Sequence, residues 1–409
     1  MQSTPSELLA TVLLGGKATA ITAAREIEKR NGWPNAIRLS LNWHALPQLR
    51  SRVAALGIGL DDDSRTALAN LSAASAAQSA LVCHTAARAL SALEDSGIRA
   101  AAFKGLGMIA SVYQSPADRM LSDADVLIES NSFRSAVPVL EKNGFIPDVS
   151  IPLNAWLDLL EQRVYPVHDF LDFVHSTGTK IDLHWRLRTP ASSGFPISEV
   201  LDRAEFKTVS GVRIRTAAPE DAILLTTHHL IRDKLAPRSA VKDLSDLGAW
   251  LEIGERLWSA DILVARARAT GLTISLLAAL EILVRFDPKA GAALLAKHVS
   301  ASSSPDELNT GKRLADVFSL QLQRGTMSDV VVGLTAMTPS LARRFVVSRL
   351  RSLTDPAYKA HKFAGDSAVP FHVVAREIFR DLFTLTPRRL VLYRTLAHET
   401  RGYLGDETR

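Results

Sequence analysis

Two stretches of this chain alternate in a way that suits β-strands. Asp123-Ala-Asp125-Val-Leu-Ile128 places two acids at i and i+2, and Lys180-Ile-Asp182-Leu-His184-Trp185 gives an acid and a histidine the same spacing. Successive strand side chains point to opposite faces, so Asp123 and Asp125 share one face and Ala124, Val126 and Ile128 the other. Asp182 and His184 likewise turn away from Ile181, Leu183 and Trp185. Each strand therefore has an apolar side to bury and a polar side to present. If the two strands are neighbours, three carboxylates converge on a small volume, which requires cations. Hard oxygen donors of this kind suit Mg2+ or Mn2+.

The flanking sequence supplies more of a small sheet. Residues 98–103 are mostly apolar and lead through Lys104 to Gly105, a residue suited to a sharp turn. Leu106, Ile109, Ala110 and Tyr113 then recur at helical spacing, which predicts a helix over 106–114. Residues 170–175 and 180–185 flank a Gly-containing turn and read as a hairpin, with Asp182 early in its second strand. Phe145-Ile-Pro147 and a pair at 206–209 and 212–215 are further candidate strands.

Elsewhere the pattern is helical. Helices are expected over 5–32, over 64–96 behind the capping acids Asp61-Asp62-Asp63, and from Asn131 or Ser132 to Asn143-Gly144 with Pro138 inside. A short one is expected over 153–162. From Pro219 onward they follow at about 219–233, 239–253, 259–271, 273–284, 289–297 and 305–323, with several after 339. Ser300–Pro305 reads as an exposed linker. The expected fold is α+β: a small mixed β-sheet core at 97–215, embedded in helical regions at 1–96 and 216–409.

Composition excludes several classes. The chain is 47% hydrophobic but only 6% aromatic, which favours Ala- and Leu-rich helices and leaves few rings for stacking bases. Its single cysteine, Cys83, forbids an intrachain disulfide and suits a reducing compartment. The longest apolar stretch, Leu272 to Phe286, is broken by Glu281 and Arg285, and the N-terminus has no basic signal-peptide region. A cytoplasmic protein without membrane contact is expected. Net charge is +5, and residues 339–409 hold 13 Lys and Arg against 7 Asp and Glu, so the surplus lies there. That segment suits nucleotide phosphates, RNA or an acidic partner, or is simply a solvated basic face. Gly15-Gly16-Lys17 is not a phosphate loop, because position 11 is Thr and no strand precedes it. Gly-x-Ser-x-Gly, Cys-x-x-Cys and His-Glu-x-x-His are all absent, which removes support for serine hydrolase, zinc-ribbon and zincin chemistry.

Lys104-Gly105, Tyr113, Arg119, Asp123-x-Asp125 and Asp182-Leu-His184-Trp185 together resemble a bacterial family known only as uncharacterised nucleotidyltransferase. More broadly, they resemble the nucleotidyltransferase superfold of DNA polymerase beta. The resemblance implies a nucleotidyltransferase core in which Asp123, Asp125 and Asp182 are the catalytic carboxylates and metal ligands, with NTP as substrate. It also implies that Lys104, Gly105, Arg119 and His184 are nucleotide contacts. Many superfold members have Gly-Ser where this chain has Lys104-Gly105. Lys104 either neutralises phosphate charge or pairs with an aspartate, and His184 is as readily structural as functional. Asp246 resembles an acid of the family's helical part, whereas His228-His229 lacks partners at i+4 and reads as packing. The expected reaction moves an NMP onto an unidentified acceptor (small molecule, peptide, protein or RNA) with release of pyrophosphate. Phosphoryl transfer at the same site and a non-catalytic nucleotide-binding scaffold are the alternatives.

Overall fold

The computed structural model describes residues 3–113, 115–149, 153, 170–187, 195–232, 235–254, 257–288 and 291–324. The helix expected at 153–162, apart from Leu153, the helices after 339 and the basic segment 339–409 lie outside the described residues. The chain opens with helices α1 (Pro5–Leu14), α2 (Lys17–Lys29), α3 (Trp33–Asn42), α4 (Leu46–Leu56) and α5 (Asp62–Asp95). Strand β1 (Ala100–Phe103) runs directly into α6 (Lys104–Met108), which widens into a π-helical turn at Ile109–Tyr113. Then come β2 (Asp123–Ile128), α7 (Phe133–Lys142), β3 (Phe145–Pro147), β4 (Phe170–His175), β5 (Lys180–His184), α8 (Ile197–Arg203), β6 (Glu205–Val209) and β7 (Val212–Thr216). The remaining helices are α9 (Pro219–Arg232), α10 (Pro237–Ile253), α11 (Ala260–Ala269), α12 (Thr273–Phe286), α13 (Gly291–Ala301) and α14 (Pro305–Arg324). None of the described helices is long and apolar enough to cross a membrane.

The strands form one mixed sheet in the order β3-β4-β5-β2-β1-β7-β6. β2 lies antiparallel to β1 and parallel to β5, while β4 and β5 are the expected antiparallel hairpin. The alternation read from the sequence decides what each face does. Ala124, Val126, Ile128, Ile181 and Leu183 turn into a core closed by α5 and α7, joined by Leu90, Leu93, Phe133 and Leu140. Small residues on α5 (Ser79, Cys83, Ala86 and Ala87) are buried against this layer, which allows close approach of helix to sheet. On the opposite face, Ala101, Phe103 and Leu127 join a second core built from the N-terminal helices and from α9, α10 and α12. The polar residues of β2 and β5 share that second face.

Several expected boundaries shift, each for a local reason. The helix expected over 5–32 is two helices, because Gly15 and Gly16 both take extended backbone and a Cβ at Gly15 would strike the Thr11 carbonyl. The helix expected at 106–114 starts two residues earlier, at Lys104. The expected linker Ser300–Pro305 is a tight turn. Ser302 and Ser303 hydroxyls donate to the Val299 carbonyl, and Ser304 with Glu307 forms a capping box that starts α14 back across α12. Asp61 caps α5 as expected, its carboxylate accepting from the Ser64 amide at 2.7 Å.

Candidate active site

The strand registers set the site. Across the sheet, Phe103 lies opposite Asp125, Asp125 opposite Asp182, and Asp182 opposite Asp172. Residues paired in register project from the same face, so three carboxylates form a row across β2, β5 and β4. Asp123 projects from this face one step nearer the start of β2, half-buried, and accepts a hydrogen bond from Ser122 Oγ at 3.2 Å. His184 lies one step along β5, beside Asp125 and opposite Phe170.

Asp125 is the organising residue. Its Oδ1 accepts from Lys104 Nζ at 2.6 Å and lies 3.1 Å from His184 Nε2. A carboxylate can only accept, so Nε2 is the protonated ring nitrogen. The His184 ring is fully buried and packs edge-on to Phe103 (5.2 Å between centroids) and against Phe170 (4.8 Å), which fixes its orientation. Burial by itself would raise the Asp125 pKa, but the Lys104 ammonium and the His184 hydrogen bond pull it well below the usual carboxylate range.

Asp182 is held in the opposite state. Burial, followed by the charges of Asp125, Asp123 and Asp172, pushes its pKa up to about 9. Burial also raises Asp172, the neighbour that shares a hydrogen bond with it. At neutral pH the site therefore contains an ionised Asp125 beside a protonated Asp182. One ligand atom each from Asp125, Asp182 and His184 lie within 4.8 Å of one another, the spacing of a group that can hold a cation. The two carboxylates are hard oxygen donors, and His184, which donates to Asp125, is placed to aim that carboxylate. This donor set fits a divalent ion of the Mg2+ or Mn2+ type. Asp123 lies outside the closest group but on the same face.

The other residues singled out in the sequence have more specific surroundings than the sequence shows. Lys104 sits at φ +50°, a left-handed conformation unusual for a side-chain-bearing residue, at the junction of β1 and α6. Gly105 is buried, and a Cβ there would overlap the Leu121 side chain and approach the Arg119 guanidinium. Any larger residue at this position would have to displace the Leu121 side chain. Arg119 is only 3% exposed and makes a bidentate pair with Asp246 of α10, with Nε–Oδ1 at 3.0 Å and Nη2–Oδ2 at 2.9 Å. Its remaining nitrogen donates to the Met120 carbonyl. Tyr113 also donates to Asp246, at 2.9 Å. The motif residues Tyr113 and Arg119 therefore clamp α10 against the sheet. His229, expected as packing, is buried with Nδ1 2.7 Å from Asp243 of α10.

Asp172 is the site residue that sequence reasoning missed. The signal was present: a hairpin joining 170–175 to 180–185 through a short turn sets Asp172 opposite Asp182 once its register is counted. The Arg119–Asp246 pair left no comparable signal, since 127 residues separate its partners.

No curated protein matches the chain. One family model does, over residues 29–286, a span that includes all seven strands and every residue of the site described above. On that match, which covers more than half of its length, the chain belongs to the family described as uncharacterised nucleotidyltransferase.

Proposed function

We propose that the protein is a metal-dependent nucleotidyltransferase with a DNA polymerase beta-like core, moving an NMP from an NTP to an acceptor. The observation that carries this reading is the in-register row Asp125–Asp182, with Lys104 and His184 both committed to Asp125. Asp123, Asp125 and Asp182 are the candidate ligands for Mg2+ or Mn2+. A divalent ion held there would neutralise triphosphate charge and activate the acceptor. In the reaction, an acceptor oxygen bonds to the α-phosphorus, the bond from that phosphorus to the bridging oxygen breaks, and pyrophosphate leaves. The acceptor must also lose a proton. Asp182 is the proposed recipient, and it can take that proton only after giving up its own. Lys104 and His184 keep Asp125 ionised and aimed. The acceptor class is open among small molecules, peptides, proteins and RNA.

The test uses purified protein with Mg2+ or Mn2+, host lysate, and each NTP labelled first on the α-phosphate and then on the γ-phosphate. Label transferred from the α position, and lost in Asp125→Asn, is the expected result. Transfer from the γ position would make the site a phosphotransferase. Transfer that persists in Asp125→Asn would remove this row from the chemistry.

A further inference from the structure

The site raises an electrostatic problem. Asp123, Asp125, Asp172 and Asp182 share one sheet face with two lysines, of which Lys104 is already paired with Asp125 and Lys180, in register with Asp123, also acts on Asp172, so four carboxylates outnumber the cations there. Arg119, which the family resemblance makes a candidate phosphate contact, is fully engaged by Asp246 and the Met120 carbonyl. A polyphosphate approaching this face needs other cations.

We propose that Arg238 and Lys242 of α10 form the wall that receives the β- and γ-phosphates of the NTP. This inference rests on the nucleotidyl-transfer reading above and assigns residues that the motif does not include. Arg238, Lys242 and Asp246 are spaced i, i+4, i+8, so they lie along one stripe of α10. The position of that stripe is fixed at its Asp246 end by the hydrogen bonds from Arg119 and Tyr113, and α10 packs against the π-helical turn that contains Tyr113. At a rise of about 1.5 Å per residue, Lys242 is roughly 6 Å and Arg238 roughly 12 Å along the axis from this anchor. Arg119 itself is four residues before Asp123, so the stripe begins beside the strand that carries the acids.

The charges felt at the α3–α4 turn agree with that placement. His44, at φ +55° in that turn, lies within the electrostatic reach of Lys242, Arg119 and Arg238 on one side and of Asp123 on the other. Arg50 of α4 holds the turn's helix to the same loop, donating to the Ala117 carbonyl at 3.1 Å. Burial and then the three cations lower the His44 pKa, which leaves the ring neutral at pH 7. Arg238 is exposed, and Lys242 is part-buried with its ammonium 3.8 Å from Asp243, whose shorter contact is to His229. Both cations can thus turn to an arriving anion. A guanidinium and an ammonium set along one helix suit a chain of phosphates better than a single carboxylate.

The test is equilibrium binding rather than turnover. The probes are the α,β-methylene analogues of ATP, GTP, CTP and UTP and the matching monophosphates, each with Mg2+, measured by titration calorimetry. Arg238→Ala and Lys242→Gln should each weaken the preferred triphosphate analogue roughly 10-fold while leaving its monophosphate unchanged. Lys242→Arg should keep most of the affinity, which separates charge from packing. Triphosphate affinity unchanged in both variants would overturn the proposal, as would an equal loss of monophosphate binding. Wild-type protein that binds no nucleotide would overturn the nucleotidyl-transfer reading itself, and this proposal with it.

Discussion

Replacing Asp246 with alanine would strand the Arg119 guanidinium in a site where it is only 3% exposed. Three hydrogen bonds from Arg119 to Asp246, at 3.0, 3.1 and 2.9 Å, would be lost together, and the Tyr113 hydroxyl would lose its acceptor. Breaking one side of a buried ion pair costs about 3–5 kcal/mol, mostly because the remaining charge is left uncompensated. Asp246→Ala is therefore expected to lose about that much stability in urea denaturation followed by tryptophan fluorescence; Trp250 is buried one turn further along the same helix. The double variant Arg119→Met/Asp246→Leu should recover most of the loss, since no charge is then stranded. A cost below about 1 kcal/mol for Asp246→Ala would refute the reasoning. So would additive costs in the double variant. Either result would mean that Arg119 is held by something other than this pair and is free for a ligand.

Two further outcomes follow from the site. Asp182 binds a proton in the folded state between its unfolded pKa near 4 and its folded value of about 9. The folded protein then holds more protons than the unfolded chain, so this residue's contribution to stability falls as pH rises through that window. Melting temperature measured from pH 5 to pH 9 should decline more steeply for the wild type than for Asp182→Asn, and parallel curves would rule out the shifted pKa. Gly105→Ala should destabilise by about 1–3 kcal/mol through its clash with Leu121, and should cost clearly less when introduced into a Leu121→Ala background. If Gly105→Ala instead melts like the wild type and loses only nucleotide affinity, the glycine serves the phosphates rather than the packing.

The features legible in the sequence were those set by neighbours along the chain. Alternation in 123–128 and 180–185 was enough to identify both strands and assign their polar faces, because a strand's period of two leaves little choice, whereas their pairing, with Asp125 opposite Asp182, was only a condition until the register supplied it. The same argument, carried across the hairpin, reaches Asp172. What stayed hidden depends on contacts between distant segments. Lys104 had two possible partners by sequence, and only the register of β1 on β2 brings its ammonium to Asp125. Arg119 carried the family's motif, yet its partner arrives on a helix 127 residues further along the chain. Gly105 shows a different kind of ambiguity: a glycine required by a side chain above it looks the same in sequence as one required by a phosphate.

The long helix α5 takes part in both cores: Leu68 near its start is buried with the N-terminal helices, whereas Val82 to Leu93 are buried with the sheet. At 34 residues it is a single beam about 50 Å long. The N-terminal helices and the sheet therefore cannot swing apart without bending that beam or exposing Val82, Leu90 and Leu93 to water. On the opposite face of the sheet, α10 cannot lift without breaking the buried Arg119–Asp246 clamp. The sheet that carries Asp125 and Asp182 is thus pinned by α5 on one face and by α10 on the other, a rigid frame rather than a hinged one.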